Sequence, residues 1–349
     1  MKKKLGDILK IVVFLGIGLF FIYWFLLKLD PEERGAIWES FISAKWGWVV
    51  AVIAVSLFSH LFRALRWRLL FKPLNYNVSL NHTFGAVMVA YLANLAVPRL
   101  GEVMRCAMLR SSDGIQVEKS LGTVVTERLV DMLLFALVVV LGFLAMFGEV
   151  KDFLYEQLSQ KFTILPTMAT LTVIAVALAI AAFILYKLFK TKIQNTAIYR
   201  KTARLVRGCI DGIKSIFHLG PKAFSLFIVY SIVIYLLYIA GGWVIFQAFD
   251  ATQHLGFQAA FVVYLFGSVG MMISQGGLGA YPVLVWQALS IYGIDETTGL
   301  ATGWLLWSSQ QALVVAVGLV YLIYFALAKK KKCHGDTINT VKPQSTDMP

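Results

Sequence analysis

Long apolar runs separated by short charged segments recur along the whole chain. They lie at 8–29, 46–62, 84–97, 123–147, 164–188, 224–249, 257–273, 283–292 and 303–328. A bilayer core needs roughly twenty apolar residues per helical crossing, whereas barrel strands alternate over about ten, so the pattern predicts helices. Three of the runs, 84–97, 257–273 and 283–292, are short or interrupted by glycine. The expected fold is an all-α polytopic membrane protein.

Composition agrees and removes several alternatives. The 349 residues are 59% hydrophobic and 15% charged, with a mean hydropathy of +0.74, too little polar surface for a soluble globule. The formal net charge of +13 sits in segments between apolar runs, where the positive-inside rule accounts for it without a nucleic-acid partner. Cys106, Cys209 and Cys333 share no close spacing, and His60, His82, His218, His254 and His334 form no paired-ligand pattern. No metal or other cofactor is expected. The first run follows Lys2, Lys3 and Lys4 as a signal peptide would, but its length and lack of a small-residue cleavage site favour a retained helix.

Loop charges set the topology. Segment 187–222 carries nine Lys/Arg against one acid, 63–72 carries four and no acid, and 329–332 is an unbroken lysine run; all three are expected in the cytoplasm. Segments 28–45 and 149–161 are acidic on balance, and 250–256 has no base, so these face outside. With the N-terminus inside, two crossings return the chain to the cytoplasm at 63–72. The helix at 123–147 must also start there, so 84–108 crosses an even number of times: a re-entrant hairpin bent near Pro98. The same parity makes 257–292 a second hairpin, entering from outside and bent at Gln275–Tyr281. Both termini are then cytoplasmic, with about six full spans.

A repeat supports this count. The bends at Pro98-Arg99-Leu100-Gly101-Glu102 and Gly276-Gly277-Leu278-Gly279 lie 178 residues apart, and Gly122 and Gly299, before the two long helices, lie 177 apart. Each half, about 8–147 and 164–328, holds two helices, a hairpin and a helix. Three crossings per half is odd, so the halves are inverted, an arrangement in which broken helices meet at a midplane substrate site. Residues 1–332 are read as one integral membrane domain and 333–349 as a disordered polar cytoplasmic tail.

The bends carry the candidate chemistry. A charged, unwound stretch at membrane depth is costly unless it lines a cavity. The first bend places Asn94, Pro98, Arg99, Gly101, Glu102 and Arg105 together; free amides at a helix start and two arginines favour an anion. Glu102 and Arg105, one turn apart, either pair or divide a zwitterion. The second bend offers Ser274, Gln275, Gly276, Gly277 and Gly279, whose amides suit a phosphate or hydroxyl, or else a tight packing turn. Glu127, Arg128 and Asp131 open the long helix of the first half. They are expected to form an ionic link to the Arg99 hairpin, with proton coupling through Glu127 or Asp131 as the alternative. From 223 to 328 there is no Lys or Arg, and Tyr and Trp are abundant.

Asn94–Arg105, Gly122–Asp131 and Gly276–Gly279, taken together, resemble the transmembrane domain of lysylphosphatidylglycerol synthases, a flippase-like family of bacterial and archaeal membrane proteins. The resemblance runs from about residue 6 to 332. It implies a plasma-membrane protein that translocates a lipid or lipid-linked headgroup. In the synthases a separate cytosolic domain performs aminoacyl transfer, and the residues after Lys332 are too few for one. At the second bend the family often carries proline before its glycines and an acid after them, where this chain has Gln275 and Ala280-Tyr281.

The expected function is therefore a lipid flippase or transporter for an anionic phospholipid or polyprenyl-phosphate-linked headgroup. Membrane lipids are the expected partners, along with a lipid-modifying enzyme or a second copy of the chain. The rival is a membrane-embedded transferase or accessory subunit using Glu102, Glu127 or Asp131 as base. No nucleophile–base pair, metal-ligand set or donor-nucleotide motif favours it.

Overall fold

The computed structural model describes residues 35, 38, 42–97, 99–145, 210 and 214–339. The runs at 8–29 and 164–188, most of the basic segment between them and the second half, Pro98 and the last ten residues lie outside the described residues. Among the described residues there are eight α-helices and no strand. They are α1 (Trp46–Leu69), α2 (Leu80–Ala96), α3 (Leu100–Asp113), α4 (Val117–Ala145), α5 (Pro221–Phe246), α6 (Phe257–Ile273), α7 (Ala280–Ser290) and α8 (Glu296–Asn339). By length and apolarity three segments can cross a bilayer: Trp46–Leu74, Pro221–Phe246 and Glu296–Ala328. The protein is an all-α membrane protein.

Both expected hairpins form. α2 and α3 pack along each other across a break at 97–99, as do α6 and α7 across the 3-10 turn Gln275–Gly277. At the first, Asn94 Oδ1 accepts the Gly101 N–H at 2.7 Å, satisfying one of the donors left open at the start of α3. Gly101 lies so close to the Ala90 carbonyl that a Cβ there would collide with it. At the second bend, Gly276, Gly277 and Gly279 have φ of 63, 79 and 75°, a region open to glycine at no steric cost. The Trp307 indole N–H donates to the Gly276 carbonyl at 2.7 Å and tethers the bend to α8. The two bends meet: Leu95 Cδ2 stands 3.5 Å from where a Cβ on Gly276 would be.

The halves repeat one order of elements. Trp46 and Pro221, the starts of α1 and α5, are 175 residues apart; Leu80 and Phe257 are 177 apart, Leu100 and Ala280 are 180 apart, and Val117 and Glu296 are 179 apart. The equivalent helices α1 and α5 run antiparallel. The Lys45 N–H donates to the Ala248 carbonyl at 3.1 Å, Arg63 reaches Tyr238 at 2.8 Å and Arg66 reaches Ser231 at 3.1 Å, so one number falls as the other rises. That ordering inverts the second half relative to the first.

The ends sort as the loop charges require. Lys45 pairs with Asp250 at 2.5 Å, placing the segments around 45 and 250 at one end. At the other end, 3-10 turns at Lys72–Leu74 and Ser215–His218 touch, and the Tyr321 hydroxyl donates to Asn81 Oδ1 at 2.7 Å. Two apolar clusters fill the interior. One holds Val49, Val52, Phe246, Val263, Val285 and Leu289, and the other, at the basic end, holds Trp67, Leu70, Phe71, Val87, Leu109 and Phe227.

Two boundaries depart from the sequence reading. α1 continues through Leu69 rather than ending at Phe62, because Ala64, Trp67 and Leu69 keep an apolar stripe running past the arginines and are buried by α2 and α5. α8 continues past Ala328 through Asn339, into the segment read from the sequence as a disordered tail.

Candidate functional site

The extension of α1 changes the chemistry of the interior. Arg63 and Arg66, three apart on one helical face, are 6% and 0% exposed and meet Glu127 and Asp131, four apart on one face of α4. Arg66 Nη2 lies 3.0 Å from Glu127 Oε1 and 2.7 Å from Asp131 Oδ1. Arg63 Nη1 lies 3.3 Å from Glu127 and 3.2 Å from Asp131. Arg105 of α3 closes the group, with Nη1 2.9 Å from Glu127 Oε2. The same guanidinium stacks 4.5 Å from the centre of the Trp67 ring, a face that attracts cations. Trp67 is itself fixed by donating to Thr123 Oγ1 at 3.0 Å.

Tyrosines complete the shell. The Arg63 guanidinium donates to the Tyr238 hydroxyl, and the Tyr235 hydroxyl donates to the Asp131 carbonyl at 2.7 Å. Tyr238 stacks on Tyr264 of α6 with ring centres 6.0 Å apart, joining the cluster to the second hairpin.

A second ion pair stands at the edge. Arg128 Nε approaches Glu102 Oε1 at 3.1 Å, with both side chains partly exposed; the pair is within Coulombic reach but not aligned as a hydrogen bond. Beside it is a cavity of about 10 Å³ lined by Val87, Ala90, Tyr91, Asn94, Glu102, Arg105 and Arg128, room for about one water-sized atom. Arg105 is 2% exposed, and its Nε and Nη2 have no hydrogen-bond partner among the described residues. Arg105 thus both lines the cavity and carries two buried donors without a partner among the described residues, a combination native proteins seldom keep without a reason.

Stability alone is a weak reason for a protein to keep such a cluster. Buried ion pairs roughly break even against well-packed apolar residues, so intramembrane charge points to function. Counting histidine as neutral, the arginines 63, 66, 105 and 128 outnumber the carboxylates 102, 127 and 131 by one positive charge. Both oxygens of Glu127 are taken by guanidinium groups, the arrangement of a shared counter-ion rather than of a free base. Among the described residues no group of His, Cys, Asp and Glu could hold a metal.

The sequence-predicted residues separate under this geometry. The expected ionic link from the first hairpin to α4 is made, by Arg105 with Glu127 and by Glu102 with Arg128. The geometry adds three details. Glu102 and Arg105 reach different residues of α4, Arg128 and Glu127 respectively. Arg128, about 100° round α4 from Glu127, reaches Glu102. Arg99 is exposed at the bend with φ 65° and no side-chain cap and does not line the cavity. Asn94 and Gly101 shape the bend. Ser274 accepts the Gly277 N–H through its carbonyl at 3.1 Å, so Ser274, Gly276, Gly277 and Gly279 make the second turn, away from the cavity's lining; of Gln275 only the backbone is described.

Arg63 and Arg66 were missed because they follow an apolar run and look like loop charges. Their three-residue spacing, with apolar residues continuing to Phe71, is the signal that they belong to a helix face.

No curated protein and no solved structure matches this chain. The family model described as the lysylphosphatidylglycerol synthase TM region matches residues 8–318. With the helical architecture and the intramembrane charge in place, that match over most of the chain shows that this membrane protein belongs to the lysylphosphatidylglycerol synthase transmembrane family, which is related to lipid modification or flipping.

Proposed function

We propose that the protein translocates an anionic phospholipid or lipid-linked headgroup across the plasma membrane, with the acyl or isoprenoid chains left in the bilayer. The observation that carries this reading is Arg105, a buried arginine of the first hairpin that lines the cavity, pairs with Glu127 of α4 and keeps two guanidinium nitrogens without a partner among the described residues. Arg105 and Arg128 hold the headgroup; Glu127 and Asp131 hold the arginines. The amides of the second bend receive the headgroup from the opposite side, and Arg99, exposed at the first bend, meets it on entry. About six spans, a single membrane domain over 1–332 and cytoplasmic termini belong to the same reading.

Leaflet exchange of fluorescent phospholipids and polyprenyl phosphates in proteoliposomes tests it. Exchange of an anionic lipid by the wild type, slowed at least tenfold in Arg105→Lys, is expected. That variant keeps a charge for Glu127 but loses the planar fork. No exchange of any lipid by folded protein refutes the proposal.

A further inference from the structure

We propose that the turn Ser215–His218 is an interfacial anchor: it seats Phe217 in the lipid leaflet at the basic end of the molecule and sets Lys214 and Lys222 against anionic headgroups. The inference rests on the membrane architecture and not on the transport reading.

Phe217 stands 82% exposed on a turn that is otherwise held inward. Ser215 is buried, and Ile216 and Leu219 pack against the apolar cluster of Trp67 and Phe71. The Leu219 N–H donates to the Ile216 carbonyl at 3.3 Å, and His218 Nδ1 lies 2.9 Å from the Lys214 carbonyl oxygen. The turn also rests on its neighbour Lys72–Leu74. With both apolar neighbours turned to the core, the ring of Phe217 is presented outward by the fold.

Its place says what covers it. Pro221, four residues on, opens α5, which is long and apolar enough to cross a bilayer. Val229, Ile232, Leu236 and Trp243 are exposed along one face of that helix, the side turned to lipid. Phe217 therefore stands just outside the apolar slab, at the depth where aromatic rings collect. Lys214 and Lys222, on either side of it, are exposed, as is Lys72 on the touching turn, and residues 214–222 contain no acid. An outward apolar ring among cations matches the composition of segments that lie on anionic bilayers. A protein partner needs a far broader patch than one ring; a leaflet needs only depth and charge.

The test uses the full chain in nanodiscs of phosphatidylcholine and phosphatidylserine. A nitroxide attached at Phe217→Cys, in a chain carrying Cys209→Ser and Cys333→Ser with the buried Cys106 kept, reports its depth by two collision rates. Oxygen dissolves in lipid and a nickel chelate stays in water, so frequent oxygen and rare nickel collisions are expected. A ring so exposed leaves the fold little to lose, and unlabelled chain supplies a second measurement. By native mass spectrometry, Lys214→Gln and Lys222→Gln are each expected to weaken retention of phosphatidylserine about fivefold. A nitroxide open to nickel places the turn in water and overturns the proposal. One closed to both probes is covered by protein, which overturns it equally, as does phosphatidylserine retained at the wild-type level in both lysine variants. None of these outcomes bears on the transport reading, which leaflet exchange decides.

Discussion

Arg105 Nη1 and Glu127 Oε2, on helices adjacent in sequence, lie 2.9 Å apart, with Glu127 fully buried. Glu127 also receives Arg63 and Arg66, so one carboxylate ties α1 and the first hairpin to α4. Beyond Asp131, α4 shows Met132, Leu133, Leu137 and Val140 at its surface. The first half of α4 is thus joined to its neighbours by these ions and by Val124 in the apolar cluster, whereas α8, its counterpart, packs along α7, α2 and α1.

Replacing Glu127 by Gln leaves three buried guanidiniums without their shared counter-charge. Removing one partner of a buried pair typically costs about 3–5 kcal/mol, so a large fall in thermal midpoint is expected in detergent-purified protein. A midpoint within a degree or two of wild type would show that the cluster does not carry α4.

The pair at the cavity's edge behaves differently. Arg128 and Glu102 are partly exposed, and such pairs contribute about 0–1 kcal/mol. Arg128→Gln is expected to leave the thermal midpoint nearly unchanged while slowing exchange of an anionic lipid several-fold. A stability loss as large as that of Glu127→Gln would count against this division of roles.

Gly101→Ala tests the first bend. The added methyl meets the Ala90 carbonyl and the Asn94 side chain, and overpacking of this kind costs about 1–3 kcal/mol. Proteolysis near the 97–99 break is expected to quicken; cleavage at the wild-type rate would mean that α2 and α3 separate without cost.

Asp295 caps α8, its Oδ2 accepting the Thr298 N–H at 2.9 Å. That bond holds its carboxyl below the ordinary carboxylate range. A carboxylate with a depressed folded value stabilises the fold above its unfolded value, and the contribution is lost as pH falls through the folded one. Asp295→Ala is therefore expected to lower stability at neutral pH by about 0.5–1 kcal/mol, the lower range for a cap in an exposed position. The difference from wild type should vanish in strong acid; a gap that stays constant with pH would assign the effect to something other than the cap.

Much of the architecture was legible in the chain. Runs of apolar residues report helices, because no other element satisfies its own backbone in lipid. Proline and glycine inside those runs report the bends, and loop charges report which segments share an end; the Lys45–Asp250 pair and the Tyr321–Asn81 bond bear that sharing out. Glu102, Arg105, Glu127 and Asp131 stood out because ionisable groups inside apolar runs need partners.

Which partners they take was decided only in three dimensions. Arg63 and Arg66 carry the same local signature as loop arginines, and nothing in the chain order brings them to Glu127, 64 and 61 residues away. Arg99 and Arg105 look equivalent beside one bend, yet Arg99 is exposed and Arg105 is enclosed by Trp67 and α4. Sequence determines where charge enters the membrane, since each residue's cost there is local. Packing determines which charges neutralise one another and which guanidinium is left with idle donors, since that depends on helices far apart in the chain meeting face to face.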